Sequence, residues 1–113
     1  MEITIYHNPR CSKSREALRL LEDRGAAPKV VEYLKDPPVA AELKRILALL
    51  GLPARAILRP KEAKEAGIAA EGMDDDALIA AMVANPAVIE RPIVVAGDKA
   101  VVGRPPEKVL EAL

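Results

Sequence analysis

The only cysteine and the only histidine of the chain lie in one short stretch, HNPRCSKSR, at residues 7–15. Three basic residues of that stretch flank Cys11, namely Arg10, Lys13 and Arg15. Nearby cations stabilise a thiolate and can lower the pKa of a cysteine from about 8.5 into the range of about 3.5–7.5. Free cysteine is also among the most frequently buried residue types, so Cys11 could be an ordinary core residue. The polar sequence around it favours a nucleophilic thiolate.

Side chains close to Cys11 in the sequence could assist the thiol. His7 could transfer a proton, or tune the thiol by charge and hydrogen bonding; the alternative is a histidine without a role at the end of a strand. Ser12 and Ser14 could cap the helix that follows or hydrogen-bond an anion. Capping is the interpretation that we favour for these serines, and Ser14 is kept as a candidate ligand of a bound anion.

Ser14 also occupies the position where a dithiol oxidoreductase has its second cysteine. The C-x-x-C motif is here Cys-Ser-Lys-Ser. A single thiol cannot resolve its own mixed disulfide, because resolution requires attack by another thiolate. A redox cycle based on Cys11 therefore needs an external thiol, such as glutathione or a glutaredoxin.

Three further arginines stand at expected boundaries between elements, where a side chain can point into a cleft. They are Arg59, which follows the segment RAIL, Arg91, which precedes Pro92, and Arg104, which precedes Pro105. The forked donors of a guanidinium match the paired oxygens of a tetrahedral oxyanion. Each arginine alone is weak evidence, because most arginines are solvated surface residues.

The composition limits the class of protein. The 113 residues are enough for one domain that buries roughly two thirds of its unfolded surface. The 17 basic and 17 acidic residues balance, which argues against binding to nucleic acid or to a membrane surface. One histidine and one cysteine make a poor metal set, so no metal is expected. Without a signal peptide or a long apolar run, we expect a soluble cytoplasmic monomer.

The hydrophobic pattern predicts an α/β domain. A strand at 2–6, a helix at 12–24 closed by Gly25 and a strand at 29–34 form a βαβ unit with parallel strands. Helical segments are predicted for an insert at about 37–88. Its clearest apolar stripe ends at Gly51 and consists of Val39, Leu43, Ile46, Leu47 and Leu50.

Strand patterns return after the insert. PIVVA and AVV flank the turn sequence GDK and predict an antiparallel hairpin. A last helix is expected to start at Pro106 and to bury Val109, Leu110 and Leu113. The order βαβ, helical insert, ββα gives a mixed four-stranded sheet of parallel and antiparallel strands.

Four segments of the chain are similar to a known family. ITIYHNPRCSKSR, RAILR, ERPIVV and GRPPE resemble the ArsC family of glutaredoxin-linked arsenate reductases, especially its YfgD-like branch. The resemblance extends from the first strand to the last helix. It implies a single ArsC-type domain over residues 1–113, with a thioredoxin-like fold that carries the helical insert.

The resemblance also implies roles for individual residues. Cys11 corresponds to the catalytic nucleophile, and His7 to a nearby group that modulates its ionisation. The resemblance places Arg59, Arg91 and Arg104 around the oxyanion. It further implies that the peptide bond between Arg91 and Pro92 is cis, which is uncommon for X–Pro bonds in general.

The reaction implied by the resemblance is reduction of arsenate to arsenite. The Cys11 thiolate attacks arsenic, glutathione attacks the adduct, and glutaredoxin reduces the resulting sulfur species. Glutathione is then a cosubstrate, and no bound metal or organic cofactor is implied. Ser12 and Lys13 replace the Gly and Thr of the well-studied arsenate reductases, which changes the flexibility and charge of the loop. The preferred anion could therefore be one similar to arsenate.

Two other functions fit the same residues. One is a monothiol glutathione-disulfide oxidoreductase, in which the arginines would hold the carboxylates of glutathione. The other is a regulatory binding module similar to the Spx-type regulators, which use a related fold to bind RNA polymerase. The single thiol and the three arginines argue against the regulatory role.

Overall fold

A computed structural model describes residues 2–113, which fall into two units. The first unit comprises the chain up to Asp36 together with Arg91–Leu113. The second unit comprises Pro37–Glu90. The organisation of the chain as a single domain with an insert remains a prediction.

The first unit contains the sheet. Its elements in chain order are β1 (Ile3–His7), α1 (Ser12–Asp23), β2 (Lys29–Glu32), β3 (Ile93–Ala96), β4 (Lys99–Val102) and a 3₁₀ helix (Pro106–Ala112). The strand order is β2-β1-β3-β4. β1 is parallel to β2 and antiparallel to β3, and β3 is antiparallel to β4. The predicted mixed four-stranded sheet is thus confirmed.

A glycine closes α1 and turns the chain back toward β2. Gly25 has a φ of 82°, a left-handed conformation that a residue without Cβ adopts at little cost. Its N–H donates to the carbonyl of Glu22 at 2.9 Å, and the N–H of Ala26 donates to the carbonyl of Leu21 at 3.1 Å. These bonds satisfy carbonyls at the end of the helix. The chain then enters β2 parallel to β1, as the βαβ pattern predicts.

Aliphatic side chains form the core of this unit. Strand β3 lies inside the sheet, and all of its residues are buried. The core cluster joins β1, α1, β3 and the 3₁₀ helix, and its members are Ile5, Ala17, Leu21, Val94, Ala96, Val109 and Ala112. Burial of these side chains holds α1 and the 3₁₀ helix against the sheet.

The C-terminal helix differs from the prediction in its periodicity. A 3₁₀ helix has three residues per turn, so its buried side chains recur at Pro106, Val109 and Ala112. An α-helical pattern instead places Leu113 on the buried face. Leu113 is 45% exposed, so that part of the prediction was wrong.

Helices make up the second unit. They are α2 (Ala40–Leu50), α3 (Pro60–Glu65) and α4 (Asp75–Ala84), with 3₁₀ helices at Ala54–Ile57 and Pro86–Val88. The predicted stripe on α2 is correct for Leu43, Ile46 and Leu47, which are buried. It is wrong for Val39, which is 64% exposed because it precedes the first helical turn as the N-cap residue. Gly51 ends α2 in a left-handed conformation, as predicted.

Candidate active site

Cys11 lies between the end of β1 and the first turn of α1. It is the N-cap residue of the helix, with extended backbone dihedrals. Its N–H donates to the carbonyl of Asn8 at 3.0 Å, and its carbonyl accepts from the N–H of Arg15 at 3.0 Å. These bonds close the loop and start the helix. The half-buried thiol therefore sits where a helix presents unpaired N–H groups and a partial positive charge.

The surroundings of the sulfur stabilise a thiolate. Burial by itself raises the pKa of the Cys11 thiol. The backbone N–H groups of Ser14 and Lys13 and the side chain of Arg91 hydrogen-bond the sulfur and outweigh that effect, so the pKa lies below its ordinary value. Nη2 of Arg104 lies 3.7 Å from Sγ and contributes another N–H donor. The site holds a nucleophile next to donors suited to an oxyanion.

Two loops at the same end of the sheet supply these arginines. Arg91 precedes β3 and Arg104 follows β4, and the two strands pair as a hairpin. Nε of Arg104 donates to the carbonyl of Arg91 at 3.0 Å. Both the Arg91–Pro92 and the Arg104–Pro105 peptide bonds are cis. The first cis bond was expected from the family resemblance, and the second was not.

Ser14 links Cys11 to His7 rather than capping the helix. Its side chain is fully buried, and its Oγ accepts the N–H of Asn8 at 3.1 Å. Oγ also lies 2.6 Å from Nδ1 of His7, to which it can donate its own proton. The N-cap residue of α1 is Cys11, and within residues 2–113 its side chain makes no capping hydrogen bond, so the favoured interpretation of Ser12 and Ser14 as helix caps was wrong. The reason is that the short loop turns Ser14 inward, beneath the end of β1.

His7 is held in a buried position that favours its neutral form. Burial lowers the pKa of His7, the carboxylate of Glu32 opposes that shift, and the charge of Arg15 adds to it. Within residues 2–113 the imidazole hydrogen-bonds Ser14 and not Cys11. His7 can therefore act on the thiol through Ser14, whose backbone N–H bonds the sulfur.

The basic residues of the loop act differently from the expectation. The side chains of Arg10, Lys13 and Arg15 are all exposed to solvent, where charge is screened. Arg15 uses Nη1 to bond the carbonyl of Pro9 at 2.8 Å. Lys13 acts on the sulfur through its backbone N–H. Within residues 2–113, the groups that lower the pKa of Cys11 are backbone N–H groups at the helix N-terminus and the side chain of Arg91.

Arg59 lies in the second unit, as the N-cap residue of α3. Its N–H donates to the carbonyl of Val88 at 2.7 Å. Its side chain pairs with two carboxylates, those of Glu62 and Glu90, each at 2.8 Å. Hydrogen bonding to Glu62, more than the charge of Glu90, raises the pKa of Arg59, and burial opposes the shift. These two carboxylate partners were not predicted from the sequence.

Comparison with known proteins identifies the family. The model of the ArsC family matches residues 6–112. This chain belongs to the ArsC family. It is 54% identical to the uncharacterized protein YfgD of Escherichia coli K12, over 97% of this chain and 95% of that protein. It is also 54% identical to a protein named arsenate reductase from Neisseria meningitidis Z2491, over 96% of this chain and 95% of that protein.

Solved structures agree with this assignment to the ArsC family. The structure titled arsenate reductase from Vibrio cholerae is 53% identical and has a TM-score of 0.94, with 100% of this chain and 98% of that chain covered. The thioredoxin-like fold predicted for this ArsC-family chain is confirmed.

Two other properties of the ArsC-family chain concern residues 2–113. Within this range, no helix is long and apolar enough to cross a bilayer. The same range contains no group of three or more His, Cys, Asp or Glu side chains that could hold a metal ion.

Proposed function

We propose that this ArsC-family protein reduces arsenate to arsenite with glutathione and glutaredoxin as thiol partners. The observation that carries the proposal is the arrangement around Cys11: a thiol of lowered pKa with Arg91 and Arg104 beside it. The name of a relative supports the same reaction, since a protein that is 54% identical is named arsenate reductase. Cys11 is the proposed nucleophile, and His7 the group that tunes it through Ser14.

The first proposed step forms a bond between sulfur and arsenic. The Cys11 thiolate attacks As(V) of arsenate, and an oxygen of arsenate leaves as water after protonation. Arg91 and Arg104 neutralise charge on the remaining oxygens. Their position beside Sγ supports this role, because the attacked arsenate would lie next to the sulfur. Ser14 contributes its backbone N–H next to the sulfur.

The second step transfers two electrons to arsenic. The thiolate of glutathione attacks the Cys11 sulfur, a sulfur–sulfur bond forms, and the electron pair of the sulfur–arsenic bond stays on arsenic, which leaves as arsenite. Glutaredoxin then reduces the mixed disulfide between Cys11 and glutathione. Ser14 at the C-x-x-C position supports this external route, because Cys11 is the only cysteine of the chain.

Arg59 is proposed as a third oxyanion ligand. Its assignment rests on the similarity of the RAILR segment to the family pattern, since it lies in the second unit. We further propose one ArsC-type domain that acts as a cytoplasmic monomer without a bound metal or organic cofactor.

A coupled assay tests the proposed reaction. Purified protein, glutathione, glutaredoxin and arsenate are combined, and arsenite is quantified directly. The wild-type chain should produce arsenite, and Cys11→Ser should produce none. Production of arsenite by Cys11→Ser, or its absence with the wild type, would contradict the proposal. Rapid reduction of a glutathione mixed disulfide without arsenite formation would instead favour the monothiol oxidoreductase.

A further inference from the structure

Two carboxylates hold Arg59 in the second unit, and they impose a condition on any anion that binds there. Nε and Nη2 of Arg59 donate to Glu62 at 2.8 and 3.4 Å, and Nη1 donates to Glu90 at 2.8 Å. The side chains are 20%, 23% and 26% exposed, so these ion pairs are largely withdrawn from solvent. We call Arg59, Glu62 and Glu90 the Arg59 cluster. One positive and two negative side chains give the cluster a net negative charge at neutral pH.

The Arg59 cluster can still donate hydrogen bonds. A guanidinium has five N–H donors, and Arg59 uses three of them with side-chain partners among residues 2–113. One donor on each terminal nitrogen is therefore left for a ligand. An anion that meets these donors also meets the oxygens of Glu62 and Glu90, which can only accept hydrogen bonds when ionised.

The adjacent carboxylates distinguish between anions by the protons that those anions carry. A fully deprotonated oxyanion brings lone pairs against the lone pairs of a carboxylate, and the contact is repulsive. An oxyanion that retains an O–H group can donate that proton to the carboxylate in a short, charge-assisted hydrogen bond. Arsenate and phosphate keep an O–H group at neutral pH, whereas sulfate has none.

We propose that Glu62 and Glu90 are specificity-determining residues: they make Arg59 a ligand that prefers oxyanions with an O–H group to sulfate. The proposal rests on the assignment of Arg59 to the oxyanion in the proposed function. It names the substrate class as hydrogen oxyanions of the arsenate and phosphate type. Glu62 and Glu90 thus position the guanidinium of Arg59 and also select the anion that it binds.

The test compares phosphate with sulfate as ligands of the purified chain. Isothermal titration calorimetry measures the two dissociation constants, and the same anions are used as inhibitors of arsenate reduction. The wild type should prefer phosphate by about 10–100-fold, the range expected for a hydrogen bond to a charged group. Glu62→Gln and Glu90→Gln should each reduce the preference by about tenfold or more. The reduction should come chiefly from tighter sulfate binding, because an amide NH₂ can donate to sulfate.

A matched control separates local recognition from general electrostatics. Glu65 lies on the same helix α3 and is exposed. Glu65→Gln removes the same charge without touching the Arg59 cluster, so its preference for phosphate should equal that of the wild type. An equal loss of preference in Glu65→Gln would overturn the proposal.

Further outcomes test the anion selectivity and the proposed reaction separately. The proposed selectivity is overturned if the wild type binds both anions equally or binds neither. It is also overturned if the preference is unchanged in both Glu62→Gln and Glu90→Gln. Each single variant keeps one carboxylate on Arg59, and circular dichroism checks folding; if neither variant folds, the wild-type preference decides. A wild type that prefers phosphate but forms no arsenite overturns the proposed reaction alone. A wild type that forms arsenite without any preference overturns the selectivity alone.

Discussion

Nη2 of Arg104 lies 3.7 Å from Sγ of Cys11, although 93 positions separate the two residues in the chain. Nε of the same side chain holds the carbonyl of Arg91, whose own side chain hydrogen-bonds the sulfur. The nucleophile follows β1, and the two arginines flank the β3–β4 hairpin. They meet because β3 pairs with β1 in the middle of the sheet. The topology of the sheet therefore brings the thiolate of Cys11 next to two arginines from the other end of the sequence.

The first prediction concerns the acidity of the thiol. The pKa of Cys11 should lie below its ordinary value, and Arg91→Gln should raise it, because the variant removes a charged donor from the sulfur. Thiolate absorbance in the ultraviolet, followed against pH, measures both values. Arg19→Gln is a suitable control, since Arg19 is exposed on α1. A wild-type pKa above about 8.5, the value of an unperturbed cysteine, would contradict the activated thiolate.

The second prediction concerns arsenate turnover. Arg91→Ala should lower the rate of arsenite formation by about 10²–10³-fold, as removal of an oxyanion donor does in other enzymes. The physical reason is that the side chain of Arg91 would stabilise the charged oxygens of the attacked arsenate as well as the thiolate. Arg45→Ala, an exposed arginine on α2, should turn over at the wild-type rate. If Arg91→Ala matched the wild type, the anion would not be bound at this arginine.

Much of the site was predictable because the sequence features that indicate it involve neighbouring residues. The position of Cys11 between a strand and a helix follows from the hydrophobic pattern, and Gly25 marks the end of that helix. Arg91 and Arg104 were found because each precedes a proline at the boundary of a strand. Such signals involve neighbours in the chain, so a single sequence displays them.

The relationships that the sequence did not reveal join distant residues or depend on fine geometry. Arg59 pairs with Glu90 across 31 positions, and nothing near either residue indicates the other. Ser14 faces inward because of the exact course of the loop. The 3₁₀ form of the last helix changes which side chains are buried, and its apolar residues also fit an α-helical period. Tertiary packing, rather than local propensity, decides each of these cases.

The third prediction contrasts two serines of the same loop. Ser14→Ala should lower the free energy of unfolding by about 1–3 kcal/mol, because it leaves the buried N–H of Asn8 without its acceptor. Ser12→Ala should change it by no more than about 0.5 kcal/mol, since Ser12 is exposed and the N-cap position of α1 is occupied by Cys11. Urea unfolding of both variants measures the difference. Equal effects of the two substitutions would refute the buried role of Ser14.

The fourth prediction concerns the close approach of Gly103 to its neighbours. A Cβ at this position would lie 2.7 Å from Cγ1 of Val109 and 2.8 Å from Cγ of Pro92. Gly103→Ala should therefore destabilise the protein by about 1–3 kcal/mol, the cost of overpacking a core. Combination with Val109→Ala should relieve one clash, so the double variant should be more stable than additivity predicts, by about 0.5 kcal/mol or more. Additive losses in thermal unfolding would show that the two sites are independent.

The last prediction follows from the lowered pKa of His7. Because the folded protein binds the His7 proton less tightly than the unfolded chain does, protonation favours unfolding. The free energy of unfolding should therefore fall as the pH decreases below about 6.5, the unfolded value, and should level off below the lower folded pKa. His7→Gln keeps an acceptor for Ser14 and removes the only histidine of the chain, so it should abolish this slope. Urea unfolding at a series of pH values measures both proteins. A slope in this window that is the same with and without His7 would contradict the assignment of the titration to His7.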